Sequence, residues 1–267
     1  MVDYPIRVFV GCAPNGMDAE SQMVLESSMR RRCDKPIEIV WMAHSSDPDS
    51  FWHGWNSKYW KTPFSGFRWG IPEYCGYKGQ AIYMDSDMII MDDIDKLWRE
   101  PFDQGAVIMV ASDSFERRTC VAKFDCRKIK GILPPVDEIK ADKLGHSKCI
   151  GKIFDDGVVQ FIDKRWNNYE GMVVDINDKC IVHYTNIQTQ PHLKYAIPRL
   201  EMTGIKHWFA GNAIDGAEDI SRLFDSEYEI AIYNGYAVDQ YSDLSNATYF
   251  DIVALDDRFD GAASINK

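Results

Sequence analysis

Ala81-Ile82-Tyr83-Met84-Asp85-Ser86-Asp87-Met88-Ile89-Ile90 is the stretch whose reading decides the fold. A mostly apolar run enters two carboxylates spaced one residue apart, and a second apolar run follows. The first run has the character of a parallel strand buried on both faces. Open α/β sheets place ligands beyond the carboxyl ends of their strands, which is where Asp85 and Asp87 fall. Two acids this close repel each other unless a cation neutralises them. Hard oxygen ligands suit Mg²⁺ or Mn²⁺, and such sites commonly combine one or two carboxylates with substrate phosphates. A metal that grips a diphosphate is therefore one reading, and a solvated turn carrying two surface acids is the other.

The flanking sequence supplies the rest of a sheet. Ile6 to Gly11 is a short apolar strand, Ala19 to Arg32 has helical spacing with basic residues in its last turn, and Ile37 to Trp41 is a second strand. Strand, helix and strand in this order open a parallel sheet. Ser45 to Ser57 reads as a loop, and Phe67 to Tyr74 as a helical segment bent at Pro72. Asp92 to Trp98 is a short helix with an acidic start. Ala106 to Val110, Val121 to Phe124, Val158 to Ile162 and Cys180 to Tyr184 read as further strands, and Ile132 to Asp142 carries two prolines and then a helical pattern. From His192 onward the βα alternation stops and helical spacing dominates. The expected organisation is a domain over residues 1–192 and a C-terminal extension, 193–267, packed on it.

The chain has 267 residues and a net charge of −11, with 45% apolar and 13% aromatic residues. That composition supports a substantial core. The acidic balance argues against a nucleic-acid or anionic-membrane binder, so an anionic ligand must be held by local cations or a metal. No apolar stretch approaches the ~20 residues of a membrane span. The seven Cys are scattered without C-x-x-C pairs, and no basic-then-apolar leader opens the sequence. The expectation is a cytoplasmic protein with free thiols. On that expectation the glycosylation sequon at Asn246-Ala247-Thr248 is a chance match.

Several residues around the carboxylates add chemistry. Arg68, about a dozen residues before the strand, offers a fork that suits either a phosphate or the orientation of an acid. His183 ends the apolar run Ile181-Val182 and is a borderline ligand suited to Mn²⁺, or else a satisfied core histidine. Arg165-Trp166-Asn167-Asn168 fits a strand exit or plain packing and a turn.

Phe64…Arg68…Ile71-Pro72…Ala81-Ile82-Tyr83-Met84-Asp85-Ser86-Asp87…Asp93-Ile94…Leu97-Trp98 resembles a GT-A glycosyltransferase, most closely of glycosyltransferase family 8 and the family-8-like bacterial and viral enzymes. Trp166-Asn167 and His183-Tyr184-Thr185…Gln190-Pro191 are similar to later segments of that family. The resemblance covers roughly the first 190 residues. It implies an α/β, GT-A (Rossmann-like) fold: a mixed, mostly parallel central sheet flanked by helices, with a C-terminal helical extension. It implies a metal-dependent transfer of a sugar from a nucleotide-diphosphate donor, UDP-linked in this family, to a glycan or other hydroxyl acceptor. Asp85, Asp87 and His183 would hold Mn²⁺ or Mg²⁺. Ser86 would lie near the ribose, Gly11-Cys12-Ala13 would border the nucleoside, and Arg68 would reach the donor.

The departures fall on the catalytic side. Gln190 replaces a phosphate-contacting lysine, and His192 replaces a tryptophan. The family's acidic and amide segment has no clear counterpart, and Asp137 beside Glu138 is nearest in position. Asp125, at the end of Val121-Ala122-Lys123-Phe124, is a candidate general base. Asp125, Asp137 and Gln190 are thus the catalytic candidates, with retention and inversion both open. The acceptor is expected between the sheet edge after Asp125 and the segment after His183, where Tyr195, Trp208 and Phe209 either stack on sugars or pack the extension.

Two other classes share the D-x-D. A haloacid-dehalogenase-like phosphatase would use Asp85 as nucleophile and Asp87 as acid/base, with Val253 to Asp260 as a second acidic motif, but its D-x-D normally ends the first strand. A non-catalytic nucleotide-sugar or glycan binder would need no catalytic segment. A nucleotidylyltransferase would need basic residues in the loop Gly11 to Gly16, which has none.

Overall fold

The computed structural model describes residues 5–57, 62–111, 119–141, 146–169, 178–185, 190–204, 207 and 218–242. Strand β1 (Ile6–Gly11), helix α1 (Ala19–Arg32) and strand β2 (Ile37–Met42) form where the apolar runs place them. β1 pairs in parallel with β2 on one side and with β3 (Gln80–Asp85) on the other. β5 (Ile108–Val110), β6 (Val121–Asp125) and β7 (Val159–Phe161) complete a six-stranded sheet of order β2-β1-β3-β6-β5-β7. The sheet is mixed and mostly parallel: β6 alone is reversed, antiparallel to both β3 and β5.

The sheet is covered on both faces. Phe9, Phe67, Trp69, Tyr83 and Phe124 pack on one side, with α2 (Ile71–Tyr74) and α4 (Val136–Ala141) nearby. Val8, Val10, Leu25, Met29, Ile82 and Met84 pack on the other. Burial on both faces is why β1 and β3 carry near-continuous apolar runs instead of alternating ones. Lys123 breaks the apolar run of β6 for a local reason. Its ammonium donates to the carbonyls of Trp98 (2.7 Å) and Glu100 (2.6 Å), where α3 (Ile94–Arg99) ends. Cations suit helix C-termini.

A three-stranded sheet of order β4-β9-β8 lies beyond the D-x-D, built from β4 (Met88–Ile90), β8 (Asn168–Tyr169) and β9 (Ile181–His183). β4 and β9 are antiparallel with Met88 opposite His183. The Ser28 hydroxyl receives the Ile90 N–H at 3.1 Å, tying β4 to α1. The last turn of α1 meets α7 (Glu218–Tyr233) through charge: Glu227 pairs with Arg31, and with Arg32 at 2.8 Å. Val24, Ile89, Val182, Tyr184 and Phe224 pack together beneath that contact. α1 is therefore buried on both sides, which explains why it has small and polar residues where a surface helix would show a single apolar stripe. Helix α5 (His146–Asp155) and strand β8 are additions to the elements read from the sequence. No described helix is long and apolar enough to cross a membrane, and all seven cysteines are free thiols.

Candidate functional site

Strand register assembles the site. Gly11 of β1 lies beside Asp85 of β3, and the chain turns at Ser86, whose N–H donates to the Gly11 carbonyl at 3.1 Å. β4 then starts antiparallel to β9, and the Tyr184 N–H donates to the Asp87 carbonyl at 3.0 Å. Asp85 at the end of β3, Asp87 in the turn before β4 and His183 at the end of β9 are thus brought together at the carboxyl end of β3. His183 Nε2 lies 3.2 Å from Asp87 Oδ1 and 3.8 Å from Asp85 Oδ2.

The imidazole has a defined orientation. Its Nδ1 lies 2.8 Å from Asn167 Oδ1, which can only accept, so Nδ1 carries the proton. The Asn167 amide is placed with Nδ2 toward the Tyr169 hydroxyl at 3.2 Å and Oδ1 toward His183. Nε2 therefore turns its lone pair toward the two carboxylates. Lone pairs facing each other this closely repel unless a proton or a metal ion lies between them. Asp87 Oδ1 is buried and receives no hydrogen bond from the described residues. A donor set of two carboxylates and one imidazole nitrogen, with an unsatisfied buried oxygen among them, fits a divalent cation.

Each carboxylate has its own support. Asp85 Oδ1 accepts from the Tyr83 hydroxyl and from Arg68 Nη2 at 3.2 Å. Asp87 Oδ2 accepts from Gln190 Nε2 at 2.8 Å, and the same amide group donates to the Tyr184 carbonyl. Burial pushes the Asp87 carboxyl up. Without an ion, a His183 protonated on both nitrogens and the Gln190 amide more than offset this, and the carboxyl stays below the usual carboxylate range.

Arg68 sits differently from the expectation that it reaches the donor. It is buried, and donates to the Ser65 carbonyl (3.0 Å) and the Thr119 carbonyl (2.6 Å) as well as to Asp85. Its fork is spent inside the protein, so it orients the acid and does not face a ligand.

On the other side of the turn, Asp18 Oδ2 accepts from the Ala13 N–H at 2.7 Å and the Ser86 hydroxyl at 3.0 Å. This fixes the loop after β1 against the D-x-D. Gly11 is required there by close approach: a Cβ would lie 2.8 Å from both Phe64 Cδ2 and the Tyr83 hydroxyl. Beside this loop a cavity of about 240 Å³ opens, lined among others by Cys12, Ala13, Trp41, His44 and Tyr241. His44 Nε2 is 2.6 Å from the Ser57 hydroxyl, and burial pushes its pKa down to about 4.

Three residues read as catalytic or acceptor-side do not join this site. Asp125 pairs with Gln80, because β6 runs opposite to β3. It lies roughly 17 Å of strand away from Asp85 at the other end of the sheet. Its Oδ1 accepts the Arg127 N–H at 3.1 Å, closing the turn after β6. Asp137 is exposed on the first turn of α4. Tyr195 packs between elements of the extension, stacked on Tyr228 at 4.5 Å with its hydroxyl 2.5 Å from Asp225 Oδ1. Trp208, Phe209 and the acidic motif at 253–260 lie outside the described residues.

The structure also adds members that sequence reasoning passed over. Tyr83 and Asn167 orient the ligand groups, and Asp18 holds the loop. The Cys120 thiol lies within 4.8 Å of the ligand atoms of Asp85 and His183. Tyr83 had a signal in its alternation with Asp85, two residues on along β3. Asp18 and Cys120 had none.

No family model and no curated protein matches this chain. Solved structures do. The glycosyltransferase GlyE of Streptococcus pneumoniae TIGR4 superposes with a TM-score of 0.55 at 13% identity, over 97% of this chain and 64% of that one. The galactosyltransferase LgtC, solved with donor and acceptor sugar analogues, gives 0.51 at 12% identity over 83% of this chain and 96% of that one. The bifunctional glycosyltransferase WbbM gives 0.51 at 15% identity, over 69% of this chain and 46% of its own length. The mixed sheet with its flanking helices is the GT-A fold of these glycosyltransferases.

Proposed function

We propose that this protein is a metal-dependent glycosyltransferase using a nucleotide-diphosphate sugar, with a UDP-sugar as the preferred donor class. One observation carries the reading: Asp85, Asp87 and an oriented His183 converge at the carboxyl end of β3, beside a cavity next to the β1 loop. The two carboxylates and His183 Nε2 would hold Mn²⁺ or Mg²⁺. The bound ion supplies Lewis-acid stabilisation of the departing diphosphate. The charges suit this. Arg68 offsets one of the two carboxylates, so the group is net −1 without an ion and net +1 with a divalent one. An acidic chain then presents a local positive site to an anionic donor.

The chain's own residues do the positioning. Asn167 holds the His183 tautomer, Gln190, itself anchored on the Tyr184 carbonyl, fixes Asp87, and Arg68 and Tyr83 fix Asp85. The cavity lies a little below the roughly 300–1,000 Å³ of pockets that hold whole drug-sized ligands, which suits the base and ribose end of a donor. Trp41, which meets Tyr241 edge-on at 5.7 Å, supplies an aromatic wall. Gln190, where the resembled family has lysine, contacts Asp87 and acts as a positioning residue.

The test is calorimetry with UDP and a panel of other nucleoside diphosphates, with Mn²⁺ and with a chelator. UDP affinity that falls at least tenfold on chelation, together with Mn²⁺-dependent hydrolysis of a UDP-sugar, supports the reading. Metal-independent binding of every diphosphate, or none at all, overturns it.

A further inference from the structure

Behind the loop that Asp18 secures, a second group of ligating side chains is closed off from solvent. Asp18 lies between β1 and α1, His192 in the turn Pro191–Leu193 and His207 in the extension, with exposures of 0%, 2% and 4%. Asp18 Oδ2 is already occupied by Ala13 and Ser86. Its other oxygen, Oδ1, faces His192 Nε2 and His207 Nε2, each at 3.7 Å. The two rings lie 4.5 Å apart. The ligand atoms of all three side chains fall within 4.8 Å of one another. A fourth oxygen is at hand, since the Met17 carbonyl is 3.2 Å from His207 Nε2.

We propose that Asp18, His192 and His207 form a structural site for a borderline divalent cation, Zn²⁺ by its ligand chemistry, with the Met17 carbonyl as fourth donor. Two imidazoles and one carboxylate favour Zn²⁺ over Mg²⁺ or Mn²⁺, whereas the Asp85/Asp87 pair with one imidazole favours the harder ions. Zn²⁺ binds nitrogen and oxygen at about 2.0–2.2 Å, so tetrahedral ligand atoms lie roughly 3.3–3.6 Å apart. The 3.7 Å separations need to close by only a few tenths of an ångström. Four protein donors in a closed pocket leave no position for substrate, which marks a structural ion and not a reactive one. The Met17 carbonyl can only accept, so His207 Nε2 carries a proton without the ion. On binding, the neutral ring changes tautomer: Nε2 gives up its proton, Nδ1 takes one up, and Nε2 donates its lone pair to the metal. The ion would tie the β1–α1 loop, the turn after β9 and the extension to one point. This site stands whether or not the protein transfers sugars.

The experiment removes the first site to count the second. The full chain carrying Asp85→Asn and Asp87→Asn is stripped with a chelator, dialysed against Zn²⁺ and analysed for metal, and Co²⁺ is used in parallel for its visible absorption. The expected result is one Zn²⁺ per chain and a tetrahedral Co²⁺ spectrum. Adding His207→Gln should weaken Zn²⁺ binding at least 100-fold, with circular dichroism unchanged in chelator. If His207→Gln does not fold, the isosteric Asp18→Asn decides on the same readouts. Absence of stoichiometric Zn²⁺ in the double variant, or Zn²⁺ binding unmoved by these substitutions, overturns the proposal.

Discussion

Asn167 is the residue whose substitution tests the site most sharply, because it touches no ligand of its own. It fixes His183 by accepting the Nδ1–H at 2.8 Å. In Asn167→Ala that N–H loses its buried acceptor, the ring is free to turn or to switch tautomer, and Nε2 ceases to face Asp85 and Asp87 reliably. Losing such a supporting partner costs about 10- to 100-fold in metal affinity, about 1.4–2.8 kcal/mol at 1.4 kcal/mol per decade. The unsatisfied N–H also costs roughly 1–3 kcal/mol of stability. Asn167→Asp separates the two effects. It retains an oxygen for Nδ1–H and increases the basicity of Nε2, so Mn²⁺ affinity should match or exceed the starting protein. The assay is titration of Mn²⁺ into the UDP-saturated protein by calorimetry, with thermal melts in chelator run alongside. If Asn167→Ala binds Mn²⁺ as tightly as the parent, or if Asn167→Asp loses as much as Asn167→Ala, the assigned tautomer and the ligand role of His183 are both wrong.

The other expectations concern placement. Asp125→Asn should leave transfer within about twofold of the parent, since Asp125 closes a turn at the far end of β3; a loss beyond tenfold with an intact fold would return it to the reaction. Gly11→Ala should lower stability by about 1–3 kcal/mol, the usual cost of overpacking, and weaken UDP binding through displaced Tyr83 and Asp85; an unchanged melting temperature would mean the close approach is relieved elsewhere. His44 titrates near 6.5 in the unfolded chain and at about 4 in the fold. Because its folded pKa is depressed, its contribution is fully present above about pH 6.5 and is lost as pH falls toward 4. The total is on the order of 3 kcal/mol, at 1.36 kcal/mol per unit. His44→Gln should flatten that part of the stability-against-pH curve, and an identical acid slope in both proteins would refute the buried, neutral state.

Legibility followed the length scale of the interaction. The parallel core was readable because β1 and β3 are buried on both faces and so write near-continuous apolar runs into the sequence, with β2 alongside as a mostly apolar edge strand. Helix α5 also left a trace, since Cys149, Ile150 and Ile153 have helical spacing and are buried, but the charged residues between them obscured it. β8 is two residues long and carries no periodicity at all. Strand direction is not encoded in an apolar run, and that gap misplaced the acceptor side. Val121 to Asp125 reads the same in either orientation, yet reversal moves Asp125 from one end of the sheet to the other. Arg68 reads from the sequence as a fork for a phosphate or for orienting an acid, and its partners at Ser65, Thr119 and Asp85 favour the second. The metal-binding candidates were legible because their chemistry is local in type, acids two apart and a histidine at a strand end. What arranges them is not local. The Met88–His183 register brings residues from distant parts of the chain together, and Asn167 and Gln190 orient them from two further segments. Asp18 makes the same point on the other flank, where a single buried carboxylate joins the β1 loop, the D-x-D turn and two histidines from beyond residue 190. A one-residue slip of β9 would turn His183 to the opposite face, so the pairing that no single segment specifies is the step on which any metal chemistry here depends.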